Sequence, residues 1–177
     1  MSHLFFTADT HFDHKNIIKY ERRPYHNTHE MNQALIDNWN KRVGKKDRVI
    51  HLGDFSWGGW KVAAQMLEQL NGRKFLIQGN HDPDKDMKEL AKYFEWIKSY
   101  CSMKTDVGRF ILFHYPIVSW ENKSHGSIHL HGHTHSRTPT NIQKGDLIYN
   151  VGVDTNGYAP ISLDEVLDKL GKNRDID

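Results

Sequence analysis

The sequence predicts an α/β fold in which a parallel sheet with helical crossovers packs against a second sheet. Strand-like apolar runs alternate with helix-like segments through the first half of the chain, an order typical of a parallel sheet. The second half has further short apolar runs separated by turns, without long helices between them, which indicates the second sheet. With 177 residues, the chain is expected to form a single domain, 1–177, with a sizeable core.

The first half is expected to contain three strands, each followed by helical sequence. Asn27 is a capping residue for the second helix, with Glu30 three positions on. Met31, Leu35 and Trp39 then recur at i+4 spacing, which predicts a buried helix face. The expected strands are 4–8, 48–52 and 75–78, and the expected helices are 15–20, 28–43, 60–70 and 83–94.

The second half is expected to supply the second sheet and a final helix. Ser162 and Glu165 form a capping box at the start of that helix, and Gly171 ends it. The expected strands are 96–104, 109–113, 127–130 and 147–151.

Charge and hydropathy restrict the class of protein. The net charge of +2 and the mean hydropathy of −0.73 call for neither a membrane partner nor an extended nucleic-acid surface. The apolar run Leu4-Phe5-Phe6 is too short for a signal-peptide core, and no segment approaches the roughly 20 apolar residues of a membrane span. We therefore expect a cytoplasmic protein, and the oligomeric state stays open.

Histidine is the compositional anomaly. The chain has 13 histidines, and neutral imidazole is the commonest metal-binding side chain. Cys101 is the single cysteine, so neither an internal disulfide nor a cysteine-rich zinc site can form. A metal site in this chain would therefore use imidazole and oxygen ligands.

Side chains that can hold metal ions follow the predicted strands. Because ligands of open α/β sheets bind outside the carboxyl ends of the strands, we expect these side chains to form one site. Carboxylate, amide and imidazole groups together suit divalent transition metals. In chain order the motifs are Asp9-x-His11, Gly53-Asp54, Gly79-Asn80-His81-Asp82, a lone His114 and Gly132-His133-x-His135.

In order and content these motifs resemble those of the calcineurin-like metallophosphoesterase superfamily, D-x-H, G-D, G-N-H-D/E, H and G-H-x-H. The resemblance extends from Asp9 to His135, and every ligand position is filled. It implies a four-layer α-β-β-α sandwich of two facing mixed sheets flanked by helices. The short chain is similar to compact bacterial and phage members without a cap domain.

The resemblance implies a dinuclear metal centre in which Asp54 bridges the two ions. Mn²⁺ is the favoured metal, and Fe, Zn²⁺, Co²⁺ and Ni²⁺ are also compatible with such ligands. The first ion would be held by Asp9, His11, Asp54 and His135, and the second by Asp54, Asn80, His114 and His133.

The implied reaction is hydrolysis of a phosphate ester by in-line attack of a metal-bridging hydroxide. His81, which is not among the implied ligands, is expected to protonate the leaving oxygen, with Asp82 holding its imidazole. A phosphodiesterase is favoured, because a site without a cap can accept a bulky leaving group. A phosphomonoesterase, including a protein phosphatase, and a non-catalytic metal-bound scaffold are the alternatives.

Three further residues are candidates for substrate contacts. His14 can reach a substrate phosphate or pin its loop to the following helix. Arg22 and Arg23 can contact an anionic substrate, although solvated surface arginines are commoner. Asn150 and Asp154 are expected to support the metal-binding loops. Trp57, Trp120 and Tyr158 could line a substrate pocket or an interface, although core packing is commoner for such residues.

Overall fold

The computed structural model of the chain describes residues 2–137 and 145–172. Within these ranges the strands are β1 (Leu4–Thr7), β2 (Arg48–His51), β3 (Arg73–Ile77), β4 (Ile97–Lys98), β5 (Tyr100–Thr105), β6 (Gly108–Phe113), β7 (Ile128–His131), β8 (Ile148–Asn150) and β9 (Ile161–Ser162). The α-helices are α1 (Lys15–Tyr20), α2 (Thr28–Arg42), α3 (Gly59–Gln69), α4 (Asp84–Leu90) and α5 (Leu163–Lys169).

The strands form two mixed sheets. In the first sheet the order is β4-β3-β2-β1-β9, and every pair is parallel except β1 with β9. In the second the order is β5-β6-β7-β8, and only β5 with β6 is antiparallel. The predicted α/β fold of two mixed sheets with flanking helices is therefore confirmed.

Alternation of side chains along the strands divides the apolar residues into two core clusters. On β1, Phe5 packs with α2 and α3, whereas Phe6 faces the second sheet. The ring of Phe6 lies 6.1 Å from that of Phe110 on β6, centroid to centroid. Both faces of the first sheet are consequently buried, which explains why its strands read as nearly continuous apolar runs.

The helix starts follow the predicted capping chemistry. The Asn27 side chain accepts a hydrogen bond of 2.9 Å from the Glu30 backbone N–H at the start of α2. Ser162 and Glu165 form the reciprocal capping box at the start of α5.

The predicted strand 96–104 is wrong in one respect, because it is two strands in different sheets. β4 pairs with β3 in the first sheet, and β5 pairs with β6 in the second. The chain thus passes from one sheet to the other near residue 99. The helix predicted over 83–94 is also shorter, since α4 ends at Leu90 and a 3₁₀ turn over Ala91–Tyr93 follows.

The two sheets converge beyond the carboxyl ends of their parallel strands. Ala8, just after β1, forms a parallel bridge with Gly152, which follows β8. The loops after β1 and β2 run side by side, with the Asp9 N–H donating to Gly53 O at 2.9 Å and the His11 N–H to Asp54 O at 3.0 Å. This convergence brings the sequence motifs of both halves to one edge. Across 2–137 and 145–172, no helix is long and apolar enough to span a membrane.

Candidate metal centre

Six of the seven predicted ligands lie in two clusters at this edge. Each residue of a cluster offers one potential ligand atom. Within a cluster, these three atoms all lie within 4.8 Å of one another. The amide oxygen of the seventh, Asn80, lies 3.1 Å from Nε2 of His114, beside the second cluster. The first cluster contains Asp9, His11 and His135, and the second contains Asp54, His114 and His133.

The Asp54 carboxylate lies between the clusters. Its Oδ2 is 3.5 Å from His11 Nε2 in the first cluster and 3.4 Å from His114 Nε2 in the second. Its other oxygen, Oδ1, accepts a hydrogen bond of 2.8 Å from the His81 backbone N–H. One carboxylate oxygen is therefore fixed by the backbone, and the other is in reach of both clusters.

Two histidines are oriented by hydrogen bonds at Nδ1. His114 Nδ1 lies 2.7 Å from Leu52 O, and donation to this carbonyl leaves Nε2 as the lone-pair nitrogen. His135 Nδ1 lies 2.7 Å from Asp154 Oδ2, which likewise leaves Nε2 available. Fixing one ring nitrogen in this way selects the tautomer that a metal ion requires.

Arg23 holds Asp154 and the loop after β1 in place. This corrects the expectation that Arg23 contacts substrate. Its side chain is fully buried, and Nε and Nη2 donate to the two oxygens of Asp154 at 2.8 and 2.9 Å. Nη1 and Nη2 also donate to the backbone oxygens of Thr10 and Asp9, at 2.8 and 2.7 Å. A guanidinium bonded in this way cannot reach an external anion. Arg22, its neighbour, is exposed.

His11 provides the test of whether these residues fit a metal ion. Both ring nitrogens are buried and have no hydrogen-bond partner. Buried polar atoms in folded proteins normally have hydrogen-bond partners. The imidazole of His11 has none and lies close to the carboxylates of Asp9 and Asp54, which indicates that a bound species belongs there. Burial lowers the pKa of His11 to about 2, and its imidazole is therefore the neutral form that binds metal. The residues fit a divalent cation.

Three residues of the clusters, Asp9, His114 and His135, have raised pKa values. Burial opposes the charged form of His135, but its hydrogen bond with Asp154 outweighs burial and raises its pKa. Burial raises the pKa of Asp9 to about 7. Burial opposes the charged form of His114, but its hydrogen bond and charge interaction with Asp54 outweigh burial and raise its pKa to about 8. Protons therefore compete with cations for these atoms, and a bound cation would displace them.

Most of the predicted ligands have a left-handed backbone. This conformation is uncommon outside glycine and is concentrated at functional sites, where the surrounding structure enforces it. The residues, with their φ angles, are Asp9 (56°), His11 (49°), Asp54 (59°), His133 (66°) and His135 (49°). The tight turns aim successive side chains of each motif at the same edge of the sheets.

Two motif glycines allow the ligand carboxylates to pack against backbone. A Cβ on Gly79 would lie 2.3 Å from Asp54 Oδ1, and a Cβ on Gly132 would lie 2.6 Å from Asp9 Oδ2. Any larger residue at these positions would therefore displace a predicted ligand.

Asp82 does not hold the His81 imidazole, and this corrects the sequence-based expectation. It is buried, and Oδ2 accepts from the backbone N–H groups of Asp54 and Gly79 at 2.7 and 2.9 Å. Oδ1 accepts from the Phe55 N–H at 2.9 Å. Asp82 therefore joins the loops after β2 and β3.

The His81 ring lies at the mouth of the centre. It is half-buried, with its centroid 5.5 Å from that of His11 and 5.0 Å from that of Trp57. Behind Trp57 lies the ring of His14, which is only 9% exposed. His14 Nδ1 is buried and has no hydrogen-bond partner, so both roles of His14, contact with a phosphate and pinning of its loop, stay predictions.

Tyr115, which directly follows His114, is a residue of the site with no sequence-based prediction. Its ring lies 4.6 Å from that of His133 and 5.0 Å from that of His114. Adjacency to a motif histidine is the one sequence signal that could have identified it. Asp154, expected to support the loops, does so through His135 and Arg23.

Comparison with known proteins places the chain in a family. A model of the calcineurin-like phosphoesterase superfamily domain matches residues 3–157. The chain is 36% identical to the uncharacterized protein MJ1445 of Methanocaldococcus jannaschii in an alignment of 179 positions that covers 98% of this chain and 94% of that protein. It is 31% identical to the Gene 66 protein of Mycobacterium phage D29 in an alignment of 194 positions that covers 94% of each chain.

A solved structure extends the likeness to the fold. The protein of unknown function AQ665 from Aquifex aeolicus superposes with a TM-score of 0.75 at 29% identity. The match covers 96% of this chain and all of that one. The chain belongs to the calcineurin-like phosphoesterase superfamily.

Proposed function

We propose that this protein is a phosphodiesterase that depends on two divalent transition-metal ions, with Mn²⁺ favoured. The observation that carries the proposal is the position of Asp54 Oδ2, within 3.5 Å of His11 Nε2 and 3.4 Å of His114 Nε2. An oxygen shared in this way by two ligand clusters suits a pair of neighbouring cations.

The two clusters divide the proposed ligands. Asp9, His11 and His135 would hold one ion, His114, His133 and Asn80 the other, and Asp54 both. When bound, the ions would activate water and offset the negative charge on the phosphoryl oxygens. The protein itself contributes fixed ligand orientation, through Leu52 O on His114 and Asp154 on His135.

His81 is the proposed general acid. Its backbone N–H is bonded to Asp54, which ties the residue to the shared carboxylate. The half-buried ring at the mouth of the centre can deliver a proton to the leaving oxygen of a substrate seated on the clusters. His81 is a proposed catalytic residue, whereas Asp82 only positions the loops.

Two features favour a diester over a monoester. A groove of about 310 Å³ adjoins the centre at Asn80 and His81, and it offers room for a leaving group. A monoester dianion carries a further charge, for which Arg23 cannot compensate because Asp154 and the backbone occupy its guanidinium. A phosphomonoesterase remains the second candidate within the same chemistry.

The test compares hydrolysis of methyl 4-nitrophenyl phosphate with that of 4-nitrophenyl phosphate. Chelator-stripped protein without an affinity tag is reloaded with Mn²⁺, and its metal content is measured in parallel. We expect up to two ions per chain and faster cleavage of the diester. Faster cleavage of the monoester would assign a phosphatase, bound metal without turnover would indicate a scaffold, and failure to bind metal would overturn the proposal.

A further inference from the structure

We propose that Trp57 and the groove beside His81 form a subsite that binds a planar aromatic ring in the leaving group of the substrate. The inference rests on the proposed function and adds a substrate class to it: phosphate esters of aromatic or heteroaromatic alcohols, or of alcohols carrying such a ring.

The first observation is the exposure of Trp57. Its side chain is 52% exposed, although indole is a large apolar group that proteins usually bury. It follows the loop after β2, and its backbone N–H donates to Phe12 O at 2.9 Å. The residue is therefore anchored by its backbone at the rim of the metal centre.

The second observation is the support behind the indole. The ring of His14 stacks on Trp57 with a centroid distance of 4.1 Å and an interplanar angle of 7°. Because His14 is only 9% exposed, it covers one indole face from the protein side. An indole that is supported on one face and largely exposed has the geometry of a stacking platform.

The third observation is the position of the groove. Its volume of about 310 Å³ is at the lower end of the range for small-molecule sites, roughly 300–1,000 Å³. The residues lining it include Trp57, Asn80, His81, Lys85 and Asp86. It therefore begins at a proposed ligand and at the proposed acid, and the group that leaves towards His81 would enter it.

The charges in the groove favour recognition by stacking over recognition by charge. Lys85 and Asp86 are adjacent in α4 and carry opposite charges, and both line the groove. Their opposed charges leave no strong preference for an ionic leaving group. Trp57 provides the large apolar surface there, so a flat ring gains more from the groove than an aliphatic group of equal size.

The test measures binding of three non-hydrolysable phosphinates by calorimetry to Mn²⁺-loaded protein, because a phosphinate carries the single negative charge of a phosphodiester. Dimethylphosphinate reports the metal-centred anchor alone, whereas methyl(phenyl)phosphinate and cyclohexyl(methyl)phosphinate add rings of similar size that differ in planarity. We expect wild-type protein to bind the phenyl compound about three- to tenfold more tightly than the cyclohexyl compound, the usual range for an aromatic pair. Trp57→Ala should abolish this preference, and Trp57→Phe should keep part of it.

Tyr100→Ala is the matched control, because Tyr100 is also an exposed aromatic residue, 41% exposed, but lies on β5, the edge strand of the second sheet. It should leave all three affinities unchanged. Failure of dimethylphosphinate to bind would count against the proposed function. Normal dimethylphosphinate binding without a phenyl preference, or with a preference that survives Trp57→Ala, would overturn the aromatic subsite alone.

Discussion

Arg23 and Asp154 form a buried, two-pronged ion pair, with N–O distances of 2.8 and 2.9 Å and both side chains almost fully shielded from solvent. Asp154 also bonds Nδ1 of His135 at 2.7 Å. Burial opposes the ionised form of Asp154, but these hydrogen bonds and the Arg23 charge lower its pKa overall. A charged arginine thus acts on a proposed metal ligand through one carboxylate.

Arg23→Met should weaken metal binding and destabilise the fold together. The substitution leaves the Asp154 charge buried without its partner, which typically costs about 3–5 kcal/mol of unfolding free energy. Loss of such an outer support typically lowers metal affinity about 10- to 100-fold. Metal titration and chemical denaturation measure the two effects. Arg22→Met, an exposed neighbour, is the control and should change neither, whereas unchanged metal affinity in Arg23→Met would exclude the supporting role.

Asp54→Asn should reduce occupancy at both clusters. The amide keeps the size of the carboxylate but loses the negative charge shared between His11 and His114. Asp9→Asn is the matched comparison, because Asp9 belongs to one cluster only. Elemental analysis after reloading should show a larger loss of metal in Asp54→Asn. Equal losses, or loss of one ion alone in Asp54→Asn, would contradict the bridging assignment.

His81→Gln should leave the metals bound and reduce the rate by about 10²- to 10⁴-fold on substrates with poor leaving groups. A good leaving group such as 4-nitrophenolate needs little protonation, so its cleavage should fall much less. Steady-state kinetics on methyl 4-nitrophenyl phosphate and on a dialkyl phosphate separates the two cases. Equal loss on both substrates, or loss of metal, would show that His81 is not the general acid.

Much of the site could be predicted because its residues come in short motifs after apolar strands. The order of strands and helices determines that the ends of β1, β2 and β3 meet at one edge, which brings Asp9, Asp54 and Asn80 together. The resemblance of Gly132-His133-x-His135 to the last motif of the superfamily then implied two further ligand candidates. Short motifs were sufficient to predict a site residue wherever a side chain of metal-binding type directly follows a strand.

Roles that depend on contacts distant in sequence could not be predicted. Arginine is usually a surface residue. Only the fold shows that Arg23 is buried and pairs with Asp154, 131 positions later. Asp82 is adjacent to His81, which suggested a pair, yet its carboxylate bonds the backbone of another loop. Burial decides both cases, because a buried charge must find its hydrogen bonds wherever the fold provides them.

The main effect of Asp82→Asn should be a lower free energy of unfolding, and not a loss of proton transfer from His81. The amide nitrogen cannot accept, so at least one of the backbone N–H groups of Asp54, Gly79 and Phe55 loses its partner, at about 1–3 kcal/mol. Denaturation midpoints measure this cost. A stable variant with the same leaving-group dependence as His81→Gln would instead mean that Asp82 orients the acid.

Burial of His51 should make the free energy of unfolding of the chelator-treated protein fall as the pH decreases. Burial lowers the pKa of His51 from 6.5 to about 3, and its Nε2 lies 3.0 Å from the Thr10 hydroxyl oxygen, which keeps the loop after β1 against β2. Between these two pH values the unfolded chain binds a proton at this position and the folded chain does not. The unfolding free energy therefore falls as pH decreases through this window, by at most about 1.4 kcal/mol per pH unit from this group.

In His51→Gln that contribution disappears, so denaturation between pH 4 and 6.5 should show a shallower pH slope than wild type. Parallel slopes for the two proteins would mean that His51 is not held neutral by its burial.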